Sequence, residues 1–295
     1  MKRAYPSPRE LDLPEPPPLP PAPPGDLAIV VPLASTALSA DERIGLASLR
    51  RFAPSDVPRL LVCPERVELG PAWSDFTVLR VPDAWMASVQ SYNAMLLSAW
   101  WWRRLAQLRQ VLIFQTDCLL LRPDLLAWKD EPASFVGPPF FKRDGRVKGV
   151  GNGGFSLRRP QDALAVLESD NLNLGRGHPQ LWRRTYRDLL WRAWRKSRED
   201  DPTRPLGARF ARGFDRAEDE FWAYYAPMFS PAYRPAGAET AIRFGAESQP
   251  ERLVAMNSGE APLGAHAWAL HGRAFWLEQL RRAGLDPETA AASGP

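Results

Sequence analysis

The sequence predicts an α/β fold, with a mostly parallel central sheet flanked by helices in a single domain, and three observations predict it. Short apolar runs suited to buried strands alternate along the chain with amphipathic helical patterns. The 295 residues are 45% apolar and 11% aromatic, which is ample for one large core. One strand-like run, residues 111–122, is broken at its middle by Gln115, Thr116 and Asp117. A strand core does not accept an unpaired carboxylate cheaply, so Asp117 is expected where the strand leaves the sheet and meets a cation or polar ligand.

The elements follow in order. Residues 1–25 are crowded with proline, including Pro14, Pro16, Pro17, Pro18, Pro20, Pro21, Pro23 and Pro24, and are expected to form a disordered polyproline arm. The folded domain is placed at 26–284, with a flexible tail over 285–295. Residues 27–33 read as the first buried strand, and 38–52 as a helix with Ile44, Leu46, Leu49 and Phe52 on its apolar side. Residues 59–63 and 77–81 read as two further strands, and 88–108 as one long helix before the Asp117 strand. Later short strands are expected at 134–136 and 154–157. Trp100, Trp101 and Trp102 are consecutive, so on a helix of about 3.6 residues per turn they cannot share one core face. Packing is the expected role of most of them.

Composition narrows the function classes. Lys and Arg total 38 against 34 acids, a formal charge of +4 that suits an anionic ligand such as a nucleoside diphosphate and does not call for nucleic acid. Cys63 and Cys118 lie in apolar runs without closely spaced Cys or His, which suggests neither a disulfide framework nor a zinc site. No apolar run approaches the about 20 residues of a membrane span. A soluble cytoplasmic protein is expected, cytosolic or peripheral at the inner membrane surface.

Three polar islands stand in apolar surroundings: Gln115-Thr116-Asp117, the stretch from Gly151 to Arg158, and Glu218-Asp219-Glu220 before Phe221 and Trp222. In the second, glycines allow close backbone approach to a ligand while Phe155 and Leu157 anchor the loop, although an ordinary turn explains it as well. The third opens a helix expected to reach about Met228. There Asp219 could serve as a general base, whereas Glu218, three residues after Asp215, also matches a capping box. His266, between Gly264 and Trp268, is a candidate third contact to a metal or phosphate. Residues 179–198 read as a basic helix, with Arg183, Arg184, Arg187, Arg192, Arg195, Lys196 and Arg198 around Trp182, Tyr186, Leu189 and Trp194. It suits an anionic surface or, equally simply, a solvated arginine-rich face.

Taken in order, these motifs, with the Ile29–Leu33 strand and Ser88-Val89-Gln90-Ser91-Tyr92-Asn93, resemble the glycosyltransferases of the GT-A type. The closest likeness is to a bacterial and fungal group of domains of unknown function assigned to that fold. The resemblance runs from Ala28 to Trp276. It implies that Pro32, Leu33 and Ala34 face a nucleotide, with Tyr92, Asn93, Gln115, Thr116, Asn152, Gly153 and Gly154 also on the donor side. It implies that Gln115-Thr116-Asp117 stands where such enzymes carry an Asp-x-Asp metal motif. Gln115 replaces the first acid here, so Mn2+ or Mg2+ would be held by Asp117 with His266. Asp219, beside Glu218, would take the base position of inverting members.

The resulting expectation is a metal-assisted transferase moving a sugar from a UDP- or GDP-linked donor to a saccharide, lipid or peptide acceptor. Other readings are a catalytically degraded carbohydrate- or nucleotide-binding protein of the same fold, an interaction module docking through the proline-rich arm and the basic helix, and a nucleotidyltransferase.

Overall fold

A computed structural model of the protein describes residues 5–292 other than 12, 19, 143, 178 and 180–183, with the backbone alone described at 184–186. Four strands, β1 (Gly25–Pro32), β2 (Arg59–Pro64), β3 (Thr77–Val81) and β4 (Leu108–Phe114), run parallel. Between them lie helices α1 (Ala40–Phe52), α2 (Val89–Leu96) and α3 (Ala99–Leu105). The expected helix over 88–108 is thus two helices. Ser98 breaks the pattern by accepting the Trp101 N–H as a new N-cap, the local competition with helix that serine side chains offer.

After β4 come the short strands β5 (Leu119–Leu120), β6 (Phe135–Val136), β7 (Pro139–Phe141) and β8 (Val147–Val150), then β9 (Phe155–Arg158). β9 lies antiparallel between β4 and β6, so the central sheet has the order β3-β2-β1-β4-β9-β6 with one strand reversed. β7 and β8 form a separate hairpin. Next follow α4 (Pro160–Leu167), α5 (Arg184–Arg198), α6 (Leu206–Arg212) and the single turn α7 (Glu218–Glu220), which passes into a π-helical turn over Phe221–Tyr225 and a 3-10 turn over Ala226–Met228. The helix expected over 218–228 therefore exists but is not regular. The chain ends with α8 (Ala238–Phe244), β10 (Gly245–Ala246), α9 (Pro250–Met256), β11 (Gly264–Ala265), α10 (Arg273–Arg282) and α11 (Pro287–Ala292). β10, β11 and β5 make a three-stranded sheet.

Alternation along the strands sends side chains to two cores. Ala28, Val30, Leu60, Val62, Val111 and Ile113 face one, under α2 to α4 and the 221–229 aromatics. Ile29, Val31, Leu61, Leu112 and Phe114 face the other, under α1, β10, β11 and α10. Trp101 and Trp102 are buried in the first core, while Trp100 is half-buried and its indole N–H donates to Pro17 O. The arm is therefore docked along its described residues. Tyr5 N–H donates to Asp215 O, Ala22 N–H to Arg104 O, and Ala22 is buried. In the tail, α11 packs on α1 with Ala290 buried, and Arg43 Nε donates to Ala291 O. Proline removes donors from the arm but leaves carbonyls and ring surface, and tryptophan uses both.

Candidate active site

The chain order reverses between β1 and β4, and in open α/β sheets the crevice beyond the carboxyl ends of such strands is where ligands bind. Ala34 lies just beyond β1 and Gln115-Thr116-Asp117 just beyond β4. Because β9 is antiparallel, its preceding residues Gly153 and Gly154 arrive at the same edge. Gln115 N–H donates to Gly154 O, extending the Phe114–Phe155 pairing by one step. A Cβ on Gly154 would overlap the His266 ring, so glycine is required there. α1 presses on the 116–118 turn closely enough that Gly45 likewise has no room for a Cβ.

His266 enters from the small sheet. Gly245-Ala246 pairs in register with Gly264-Ala265, which sets Glu247 beside His266, and His266 N–H donates to Ala246 O. The imidazole Nε2 lies 3.2 Å from Gln115 Oε1 and 3.5 Å from Asp117 Oδ1. At Nδ1, the Asn152 amide stands at 2.8 Å and Glu247 Oε1 at 3.8 Å. The amide needs a bare nitrogen and the carboxylate a protonated one. In the neutral ring the shorter contact governs, which leaves the proton on Nε2 facing Gln115 and Asp117.

Electrostatics favour a cation at this point. Burial alone would lower the His266 pKa, but the Glu247 hydrogen bond and the charges of Asp117, Glu247 and Asp219 outweigh it and hold it above the ordinary histidine value. Burial pushes the Glu247 carboxyl up, yet His266 and the Asn152 amide hold it below the usual carboxylate range.

Asn152 joins this cluster to the third island. It has φ of 68°, a left-handed conformation that asparagine tolerates, and its Oδ1 accepts the Gly154 N–H at 3.0 Å. Its own backbone N–H donates to Asp219 Oδ2 at 2.8 Å. Gln249 (φ 55°) and Ala267 (φ 46°) are also left-handed, so three such residues lie on or within two positions of Asn152, Glu247 and His266. Backbone held in this region concentrates at functional sites.

The two acids expected to be catalytic part company. Asp219 borders the Asn152–His266 corner. Glu218 is held in an ion pair and does not cap the helix. Both its oxygens accept from Arg158, at 2.6 and 2.7 Å, with each side chain 3% exposed, and the helix N-cap is Ala217 with no side-chain bond. The Arg158 guanidinium also lies over Phe135 and Trp102. Asp215, the expected capping partner, pairs instead with Arg192.

Among the donor-side residues, Leu33 is buried in the core and offers a ligand no side chain. Pro32 is half-buried, and Ala34 is exposed. Thr116 Oγ1 donates to Glu42 Oε1 at 2.6 Å, a bond that ties the turn to the start of α1. Tyr92 is tied to Gln115 by a hydrogen bond, and burial with the nearby Glu218 charge drives its phenol pKa up. Asn93 lies beside it on α2, half-buried, without a side-chain hydrogen bond among the described residues.

The donor set can be tested against a divalent cation. The His266 Nε2 distances to Gln115 Oε1 and Asp117 Oδ1, 3.2 and 3.5 Å, are close to the about 3 Å that separates neighbouring ligands of an octahedral Mg2+-like ion. Cys118 lies within reach of Asp117 and His266, but its buried thiol is pushed well above its ordinary pKa and donates to Gly154 O. Cys63 and Cys118 are both free. A hard cation thus fits Asp117, His266 and the neutral oxygen of Gln115. Glu247 was not foreseen; its signal is the recurrence of Gly-Ala before a polar residue, at Gly245-Ala246-Glu247 and Gly264-Ala265-His266.

The basic helix is described as α5 from Arg184. Trp182 and Arg183 lie outside the described residues. Arg192 and Lys196 are engaged by Asp215, and Lys196 also by Glu10. Leu189 and Ala193 are buried, and Trp191 is 59% exposed.

An α/β protein with a polar, cation-attracting crevice at its sheet switch point is the class defined by this geometry. Residues 75–266, more than half of the chain, match the family model described as Protein of unknown function (DUF5672), and the chain belongs to that family. No curated protein matches the chain. Among solved structures, it is similar to the galactosyltransferase LgtC in complex with donor and acceptor sugar analogs, at 11% identity over 87% of this chain and 95% of that one, with a TM-score of 0.48. It is similar to mouse xyloside xylosyltransferase 1 in its apo form, at 11% identity over 81% and 97% with a TM-score of 0.44. A third is the apo glycosyltransferase GlyE of Streptococcus pneumoniae TIGR4, at 12% identity over 90% and 62% with a TM-score of 0.41. Among the described residues no helix is long and apolar enough to cross a membrane.

Proposed function

We propose that the protein is a glycosyltransferase that moves a sugar from a nucleotide-linked donor to an acceptor hydroxyl, with inversion. The convergence of Gln115, Asp117 and His266 at one crevice, joined through Asn152 to Asp219, carries this reading. The departing nucleoside diphosphate develops negative charge, and a divalent cation at Asp117 and His266 would neutralise it. With Nε2 a ligand the ring proton would sit on Nδ1, displacing the Asn152 amide from its contact there and facing Glu247, which would orient His266. Asp219 takes the proton of the acceptor hydroxyl as its oxygen forms the new bond to the anomeric carbon; the bond to the diphosphate breaks, and its electron pair leaves with the phosphate oxygen. Gly153 and Gly154 leave room for the donor to approach the backbone. The two buried free thiols support a cytoplasmic setting.

Melting of the purified protein with UDP, GDP and their sugars, each with and without Mn2+, tests this reading for the parent and for Asp117→Ala. A ligand bound only by the folded state raises the midpoint by mass action. The expected result is a metal-dependent shift that disappears in Asp117→Ala, with release of nucleoside diphosphate from one donor sugar. Gln115 in place of an acid favours a second reading, a binding protein of the same fold. Nucleotide binding without metal enhancement and without turnover would establish that reading in its place.

A further inference from the structure

A cavity of about 510 Å3 is lined by chain segments that continue into Asn152 and Asp219, and its size falls in the range of small-molecule sites, about 300–1,000 Å3. Its walls are β8, Arg176, Gly177 and Pro179, the π-helical segment and the 233–238 connection. Two of these walls lead directly into the site. Val150 continues through Gly151 into Asn152, whose N–H holds Asp219. Ala223 lies four residues beyond Asp219 on the same helical segment, about 6 Å along its axis. Tyr233 closes the inner end, stacked on Trp222 and buried beside the Arg158–Glu218 pair.

The charge of the lining is one-sided. Lys148, Arg176 and Arg234 contribute to it, and no carboxylate does. Arg176 and Arg234 have no carboxylate partner among the described residues, whereas Arg146 and Arg159 pair with Asp144 and Asp162. A neutral saccharide would leave these cations uncompensated, while an anionic one would meet them where low-dielectric walls focus the field.

We propose that this cavity is the acceptor subsite and that it selects a saccharide carrying a carboxylate or phosphate group. The acceptor role rests on the transferase reading above; the anion selectivity rests on the cavity alone. Arg176 and Arg234 hold the anionic group while a hydroxyl of the same saccharide is presented toward Asp219.

Calorimetric titration of the full chain with matched probes tests this. p-Nitrophenyl β-glucuronide is compared with p-nitrophenyl β-glucoside, and glucose 6-phosphate with glucose, for the parent and for a variant carrying Arg176→Ser and Arg234→Ser. Both positions are exposed, so the fold is retained. At least one anionic probe is expected to bind about tenfold more tightly than its neutral counterpart, as two or three partly solvated ion pairs provide, and the preference is expected to vanish in the variant. Equal affinities in the parent, or a preference that survives in the variant, would overturn the proposal. UDP and GDP, each with Mn2+, are titrated into the same samples. Failure of both to bind the parent would remove the transferase reading and the acceptor role with it, whatever the anion preference shows.

Discussion

At the scale of single residues, Glu218 and Asp219 are adjacent carboxylates with opposite surroundings. Glu218 is locked by both oxygens to a buried guanidinium, while Asp219 accepts one backbone N–H at the border of the crevice. Breaking a buried ion pair leaves an uncompensated charge, so Glu218→Gln is expected to cost about 3–5 kcal/mol, read as a lowered melting midpoint. Asp219→Asn keeps the shape and is expected to lower transfer by about 10²- to 10⁴-fold with little change in melting. A large stability loss in Asp219→Asn with activity retained would reverse these assignments. Glu247 acts through His266, and removal of such a partner typically weakens a metal site by about 10- to 100-fold. Titrating Mn2+ against Glu247→Gln should show that loss while leaving nucleotide binding without metal unchanged.

Among the elements, the docked arm carries a pH signature. Glu10 caps its own turn through Ser7 and reaches Lys196 on α5 at 3.0 Å. The Ser7 hydrogen bonds, then Lys196, lower its pKa from 4.5 to about 2. A carboxyl depressed on folding stabilises above its unfolded pKa, so this contribution is complete above pH 4.5 and fades as the pH falls toward 2. Release of the arm, followed by proteolysis across pH 5 to about 2, should track this loss, and Glu10→Gln should flatten it; the exposed setting of Glu10 keeps the effect small. A profile unchanged by Glu10→Gln would show that another group ties the arm down.

For the whole molecule, the last residues of the arm and the crevice sit at opposite edges of the sheet, while the first described residues of the arm reach Asp215, four positions before Asp219. Ala22 bonds to Arg104 just before β1 begins, whereas the site lies beyond the ends of β1 and β4. A cavity of about 540 Å3 between the arm and α2, α3 and α6 is lined by Trp85, Trp100 and Arg104 and lies away from the polar crevice. Deleting residues 1–21 would expose Trp100 and the floor of that cavity. The expected outcome is lower thermal stability, seen in melting, with nucleotide and metal binding intact. Loss of binding on deletion would mean that the two edges are coupled.

Much of this was legible in the chain. The continuous apolar runs of β1, β2 and β4 and the polar interruption after Phe114 are local patterns, and they determined the strands, the class of fold and the emergence of Asp117 at the sheet edge. The proline content of the arm was equally plain, but its docking depended on Trp100 and Asp215, far along the chain. Glu218 shows the same limit. Its spacing from Asp215 matched a cap, and only the fold brought Arg158, sixty residues away, into bidentate contact with it. Glu247 met His266 through the register of two-residue strands too short to leave a periodic signal. Sequence by itself determined what each segment buries, because burial follows local pattern. Tertiary structure decided which charges face one another, because partner choice among polar groups is set by distances the chain closes only when it folds.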